Sequence, residues 1–261
     1  VNSMFRYHTI TDTWAQLSDK PGVAVENPAA VALNGSIYVF GGSTGPFSGA
    51  QSSAYKYDIT SDSWSSIADM PTARGGMTAQ VINGKIYIAG GMNASGASLA
   101  LLEIYDPSNN SWVSGPNMLE VRDNPGTAVI LGKLYVIGGR ERLSNGTTIN
   151  GTKTSGEVYD PNTNSWSSIA SIPTGRRTMA VGIIGEKIQI IGGEYNEADI
   201  DNIFRQNEEY DPITNSWKSY PIAPNPRHGA AYSTINNQLF VVGGGVKGGA
   251  SYSNLTEVFS F

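Results

Sequence analysis

The chain has 261 residues, 39% hydrophobic and 15% charged, with 22 acidic against 17 basic side chains and a formal net charge of −5. That balance argues against a protein whose affinity comes from neutralising nucleic-acid phosphates, and no apolar run reaches the roughly 18 residues of a membrane-spanning helix. The absence of cysteine excludes disulfides, zinc–thiolate sites and thiol nucleophiles.

Along the chain one phrase returns: YHTITDTW from Tyr7, YDITSDSW from Tyr57, YDPSNNSW from Tyr105, YDPNTNSW from Tyr159 and YDPITNSW from Tyr210. Its tryptophans, Trp14, Trp64, Trp112, Trp166 and Trp217, are spaced by 50, 48, 54 and 51 residues. Gly-Gly pairs at 41–42, 90–91, 138–139, 192–193 and 243–244 keep the same step. Two independent markers sharing one period define an internal repeat of about 50 residues that covers the whole chain. A motif written five times is architecture before it is chemistry.

Each unit reads as four short strands. The first follows Arg or its equivalent, as in GGMTAQVIN; the second alternates and ends in Gly-Gly, as in KIYIAGG; the third ends in Tyr-Asp; the fourth begins at Trp. Period-two alternation and β-branched and aromatic enrichment support strands throughout. Asn34-Gly35, Asn83-Gly84, Gly132, Gly185-Glu186 and Asn236-Asn237 provide the positive φ of two-residue hairpins between the first two strands. The Asp or Asn two residues before each Trp suits a left-handed turn position. Gly-Gly marks backbone that bends or approaches closely; a phosphate cradle would need a following helix, and none is signalled.

Arg, then NGKIYIAGG, then YDP..NSW, then MP, recurring in this order, resembles the kelch repeat. The resemblance implies an all-β β-propeller, and counting gives five four-stranded blades in a single domain, residues 1–261. Val25 replaces Arg in the first unit, Gln189 replaces Tyr in the fourth and His8 replaces Asp in the N-terminal phrase. Third strands number six, one before Trp14 and another in TEVFSF at the C-terminus. Five blades therefore leave one over, and closure is expected by pairing the C-terminal strands with the N-terminal WAQL strand in one blade. Five is an uncommon count, consistent with a chain cut from something longer. A six-bladed ring lacking half a blade would expose sheet edges and is disfavoured.

Repeated positions serve the fold, so function is sought where the units differ. The segments after Gly-Gly, 43–53, 92–101, 140–155, 194–206 and 245–254, are long and irregular and lie on one face, where binding residues concentrate. By the kelch resemblance, Arg74, Arg122, Arg176 and Arg227 at the entry to the inner strands line a ligand pocket; the structural alternative is that each closes its own blade. Beside them Glu26, Asn27, Asp123, Asn124, Arg177 and His228 vary around the ring. An arginine ring would suit carboxylates. The acidic run Glu194, Glu197, Asp199 and Asp201 lacks EF-hand spacing and reads as a solvated loop; Arg205 stands where an iron-binding motif would need His. Arg140 and Arg142 could meet an acidic partner.

These features describe a binding or interaction module for a protein partner or a carbohydrate or anionic ligand. It is expected to be monomeric, with no catalytic residue, metal or cofactor, and with no nucleic-acid or membrane partner. The alternative is a carbohydrate-directed enzyme, a sugar mutarotase or lyase, drawing an acid and a base from Asp123, Glu26 and His228. Low charge and abundant Gly, Ser, Thr and Asn lean towards a secreted or cell-surface protein, and no leader-like segment opens the sequence.

Overall fold

A computed structural model describes residues 2–46, 48–145, 147–195, 203–249 and 251–260. Among them every regular element is a strand except for turns and bends. Four antiparallel four-stranded sheets follow the repeat. The first is Ala29–Leu33, Ser36–Phe40, Ala54–Asp58 and Ser63–Ile67; the second is Thr78–Ile82, Lys85–Ala89, Leu102–Asp106 and Ser111–Ser114. The third is Gly126–Ile130, Lys133–Ile137, Gly156–Asp160 and Ser165–Ile169; the fourth is Ala180–Ile184, Lys187–Ile191, Asn207–Asp211 and Ser216–Tyr220. A fifth sheet has three strands, Ala231–Ile235, Gln238–Val242 and Thr256–Phe259. Met4–His8 and Thr13–Leu17 form a separate N-terminal hairpin.

The recurring phrase is the joint between neighbouring sheets. In each unit Tyr and Trp lie opposite one another across the third and fourth strands, with ring centroids 4.9–5.3 Å apart. Such aromatic pairs add about 0.5–1.5 kcal/mol beyond the area they bury. The indole N–H then crosses to the preceding unit: Trp64 donates to the Ser18 carbonyl, Trp112 to Ala68, Trp166 to Pro116 and Trp217 to Ala170, at 2.8–3.0 Å. Two residues before Trp, Asp12, Asp62, Asn110, Asn164 and Asn215 adopt the expected left-handed conformation, φ 49–54°. Each accepts the hydroxyl of its own Tyr. Asp62, Asn110 and Asn215 also accept an amide from the preceding unit, that of Ser18, Ala68 or Ala170.

Between sheets lie four apolar cores, one at each junction from first–second to fourth–fifth. They are filled by the inward residues of the alternating second strands, such as Phe40, Ile88, Val136 and Ile190, all fully buried. The Gly-Gly pair has the role expected of it: a Cβ on Gly41 would stand 2.4 Å from the Arg74 carbonyl and one on Gly90 2.6 Å from that of Arg122. No Cβ fits at such distances.

At the channel, the residue two places after each Arg (or Val25) has positive φ: Asn27, Gly76, Asn124, Thr178 and Gly229. The Gly76 amide donates to Asn27, Asn124 to Gly76, Thr178 to Asn124 and Gly229 to Thr178, at 2.7–3.1 Å. This backbone chain threads the five inner strands around one axis. No corresponding bond joins Asn27 to Gly229.

Here one expectation fails. The C-terminal strand Thr256–Phe259 does not pair with Thr13–Leu17, because Met4–His8 already occupies that edge. A strand edge holds one partner, and the adjacent Tyr7 has the local one. Among the described residues the N-terminal strands therefore complete no blade with the C-terminal strand, and the fifth sheet has three strands.

Candidate functional site

The four repeated arginines are bound into their own sheets. Arg74, Arg122 and Arg176 are fully buried and Arg227 nearly so. Each meets a glutamate on the third strand: Arg74–Glu103 at 2.7 Å, Arg122–Glu157 at 2.6 Å, Arg176–Glu208 at 2.6 Å, and Arg227–Glu257. Arg74, Arg122 and Arg227 also donate to the first carbonyl of the Gly-Gly pair, at Gly90, Gly138 and Gly243, and Arg176 donates to the Gln206 carbonyl. Burial lowers Arg176 to about 10, against the opposing pull of Glu208. A guanidinium already holding a carboxylate and a carbonyl presents no fork to a ligand. The arginine ring is thus a set of blade clamps, and the expected anion seat loses its donors. Where Val25 replaces Arg, Tyr55 stands at the glutamate position of the same sheet, so both members of the pair change together.

The residues after the arginines have another fate. Each pairs, by an isolated β-bridge, with the residue that follows Gly-Gly: Glu26 with Ser43, Gly75 with Met92, Asp123 with Arg140, Arg177 with Glu194 and His228 with Gly245. The bridges ring the channel mouth around a cavity of about 590 Å³, lined also by Asn27, Asn124, Thr178 and Tyr252. Of the expected residues, Glu26, Asn27, Asn124, Arg177 and His228 line this cavity, whereas Arg74, Arg122, Arg176, Arg227 and Asp123 do not. Asp123 is fully buried beneath the mouth. It accepts Ser98 Oγ at 2.6 Å, Asn124 Nδ2 at 2.8 Å and Arg140 Nε at 3.1 Å, so its carboxylate is spent on structure.

A charged cluster spans the fourth and fifth sheets. Glu194 Oε1 lies 3.0 Å from Arg177 Nη2 and 3.3 Å from His228 Nδ1, and His228 Nε2 lies 2.9 Å from the Lys247 carbonyl. Both imidazole nitrogens face acceptors, and only the doubly protonated ring can donate to both. Burial pulls the His228 pKa down, but the hydrogen bond and charge of Glu194 outweigh it and raise it above the ordinary 6.5. Glu194 moves the opposite way: burial raises it, and His228 and Arg177 bring it below 4.5. Glu194 is almost fully buried, and its Oε2 has no hydrogen-bond partner among the described residues.

Glu194, Arg140 and Thr178 belong to this mouth although the sequence reading placed the first two in loops and overlooked the third. The signal was present: the residue after Gly-Gly is in register with the residue after Arg. Glu197, Asp199 and Asp201 lie outside the described residues. Arg142 is buried. Among the described residues no group of His, Asp and Glu is placed to hold a metal ion.

A family model described as the KLHDC2/KLHL20/DRC7 Kelch-repeats domain matches residues 27–244. The chain belongs to the kelch-repeat family. Among curated kelch relatives, Kelch-like protein terF of Aspergillus terreus is 25% identical over 272 residues, covering 99% of this chain and 58% of its own. Kelch-like protein 7 of Rattus norvegicus is 42% identical over 191 residues, covering 72% of this chain and 31% of its own. The chain thus spans well under two thirds of these kelch proteins. The solved structure of YjhT matches with a TM-score of 0.69 at 21% identity, over 85% of this chain and 72% of that one, a likeness of fold.

Proposed function

We propose that this kelch chain is a protein-interaction module that seats a hydrogen-bond-donating segment of a partner, such as a loop bearing Lys or Arg, at the channel mouth. One observation carries the reading: around the mouth the arginines are already bound, while acceptors remain, the exposed Glu26 carboxylate and the unpartnered Glu194 Oε2. A buried acceptor without a donor costs free energy that a ligand donor recovers. Kelch-like relatives support a binding role over a catalytic one. The test is fluorescence anisotropy with short basic, neutral and acidic peptides at several salt concentrations. Basic peptides are expected to bind best, with Glu26→Gln and Glu194→Gln each weakening them by about tenfold, roughly 1.4 kcal/mol. Equal binding of acidic peptides would refute the assignment.

The Glu194–His228 contact favours a second reading, a carbohydrate-directed enzyme such as a mutarotase, with the pair exchanging a proton at a sugar oxygen. Anomerisation followed by NMR, lost in His228→Gln, separates it from pure binding.

A further inference from the structure

Two cationic side chains hold Glu194, and one of them can lose its charge. Glu194 Oε1 lies 3.0 Å from Arg177 Nη2 and 3.3 Å from His228 Nδ1, with Thr178 Oγ1 at 3.4 Å. Arg177 stays charged at any pH at which the protein is folded, whereas an imidazole changes charge within the neutral range. Arg177 and Glu194 flank the first two strands of the fourth sheet, and His228 leads into the fifth, so the contact also joins neighbouring units. On its other side His228 Nε2 lies 2.9 Å from the Lys247 carbonyl, which also accepts Ser251 Oγ at 2.6 Å. Among the described residues the ring thus faces Glu194 and Arg177 from the fourth unit and the Lys247 carbonyl from its own, with Lys247 itself exposed.

The charge of the mouth turns on this ring. Of the charged residues lining the cavity, Glu26 and Glu194 are matched by Arg140 and Arg177, and His228 alone shifts the balance between neutral and positive. A protonated ring donates to both of its acceptors; a neutral one has a single N–H and gives up one of them. In either tautomer the positive charge beside Glu194 is gone. Burial raises the pKa of Glu194, but His228 and Arg177 bring it below 4.5, so the carboxylate stays ionised while the ring titrates. Burial lowers the pKa of His228, and the hydrogen bond and charge of Glu194 raise it above 6.5, against the opposing charge of Arg177.

We infer that His228 is an internal competitor for the mouth: its protonated ring holds the carboxylate that a partner's ammonium group takes, and deprotonation yields that carboxylate to the partner. The inference rests on the basic-partner reading and adds the regulation of that site. A cation arriving at Glu194 Oε2, which has no hydrogen-bond partner among the described residues, meets the imidazolium across one carboxylate. Two like charges on one counter-charge disfavour each other. Binding and proton release are therefore coupled, and the coupling is reciprocal: the partner lowers the His228 pKa by the factor by which protonation weakens the partner. A basic segment is taken up as pH rises through the His228 midpoint and released on acidification.

The probe is an N-acetylated, C-amidated peptide whose single titratable side chain is Lys, which keeps its charge from about pH 6 to 8.5. Isothermal titration calorimetry on the intact chain is expected to give a Kd about fivefold or more tighter at the higher pH. An NMR titration at saturating peptide should show the His228 midpoint displaced downwards. His228→Gln removes the titrating ring and should flatten the pH profile. His8→Gln alters the only other histidine of the chain, in the N-terminal turn, and should leave the profile intact. Equal binding at both pH values, or an unmoved imidazole midpoint in the complex, overturns the inference while the basic-partner reading stands. Absence of binding at either pH refutes that reading and this inference with it.

Discussion

A side chain repeated at one position of every unit invites a functional reading, and the arginines show why burial decides the matter. Each completes a hydrogen-bonded pair with a third-strand glutamate that is itself nearly or fully buried in the three central cases. Arg122→Met should cost about 3–5 kcal/mol in urea unfolding, because it strands the Glu157 carboxylate in the blade; binding by the folded fraction should change little. The position of these arginines was legible in the sequence but their direction was not, since the partner glutamate lies about 30 residues further on and carries no local signal. Thr178 is a second case. As a β-branched residue at φ 54° it is strained, where Asn27 and Asn124 occupy the same station with ease. Thr178→Asn is expected to stabilise the protein by about 1 kcal/mol, read as a higher urea midpoint. His228 provides the pH dependence, with Glu194, Arg177 and the Lys247 carbonyl facing it. Its raised pKa means that its contribution is complete below 6.5 and is lost as pH rises through the folded value. The lowered pKa of Glu194 means a contribution present above 4.5 and lost as pH falls through its own folded value. Exchange protection of residues 245–249 should therefore be greater at pH 6 than at pH 8.5, and Glu194→Gln should bring the imidazole midpoint down in an NMR titration.

At the scale of the element, the turn before each Trp does two things at once. Asn215 adopts φ 49°, accepts the Tyr210 hydroxyl at 2.8 Å and accepts the Ala170 amide at 2.7 Å. Asn215→Ala removes both bonds and puts a Cβ-bearing residue without local compensation into the left-handed region. Two hydrogen bonds at about 1 kcal/mol each and a further 1 kcal/mol of strain suggest a loss near 3 kcal/mol in chemical denaturation. Asn215→Gly should lose only the hydrogen bonds. The order and type of the strands followed from the repeat because short strands bounded by Asn, Asp and Gly have few other options. The mouth was half legible. Glu26, Asn27, Asn124, Arg177 and His228, one or two places after the Arg position, line the mouth cavity, but the bridge partner after Gly-Gly depends on strand register across the sheet, which a local pattern does not reveal.

For the molecule as a whole, the count of strands could be made from sequence but the place of closure could not. A surplus third strand admits two outcomes, displacement of Met4–His8 by Thr256–Phe259 or separate local pairing of each, and repeat periodicity is the same in both. What decides is local: Tyr7 and Trp14 lie on adjacent strands of one hairpin, with centroids 4.9 Å apart, and closing such a short loop costs less chain entropy than joining the two ends of the chain. Stability should then grade across the five sheets. The second, third and fourth sheets have an apolar core on both faces, while the first and fifth have one each. Sheets packed on both sides open only with most of the fold, whereas those packed on one side can open alone. Amide exchange should accordingly be slowest in the central second strands, Lys85–Ala89, Lys133–Ile137 and Lys187–Ile191, and faster in Ser36–Phe40 and Gln238–Val242. Thr256–Phe259 and the N-terminal hairpin should exchange fastest of all. Uniform protection around the five sheets would show that packing on one face or two does not set the order of opening.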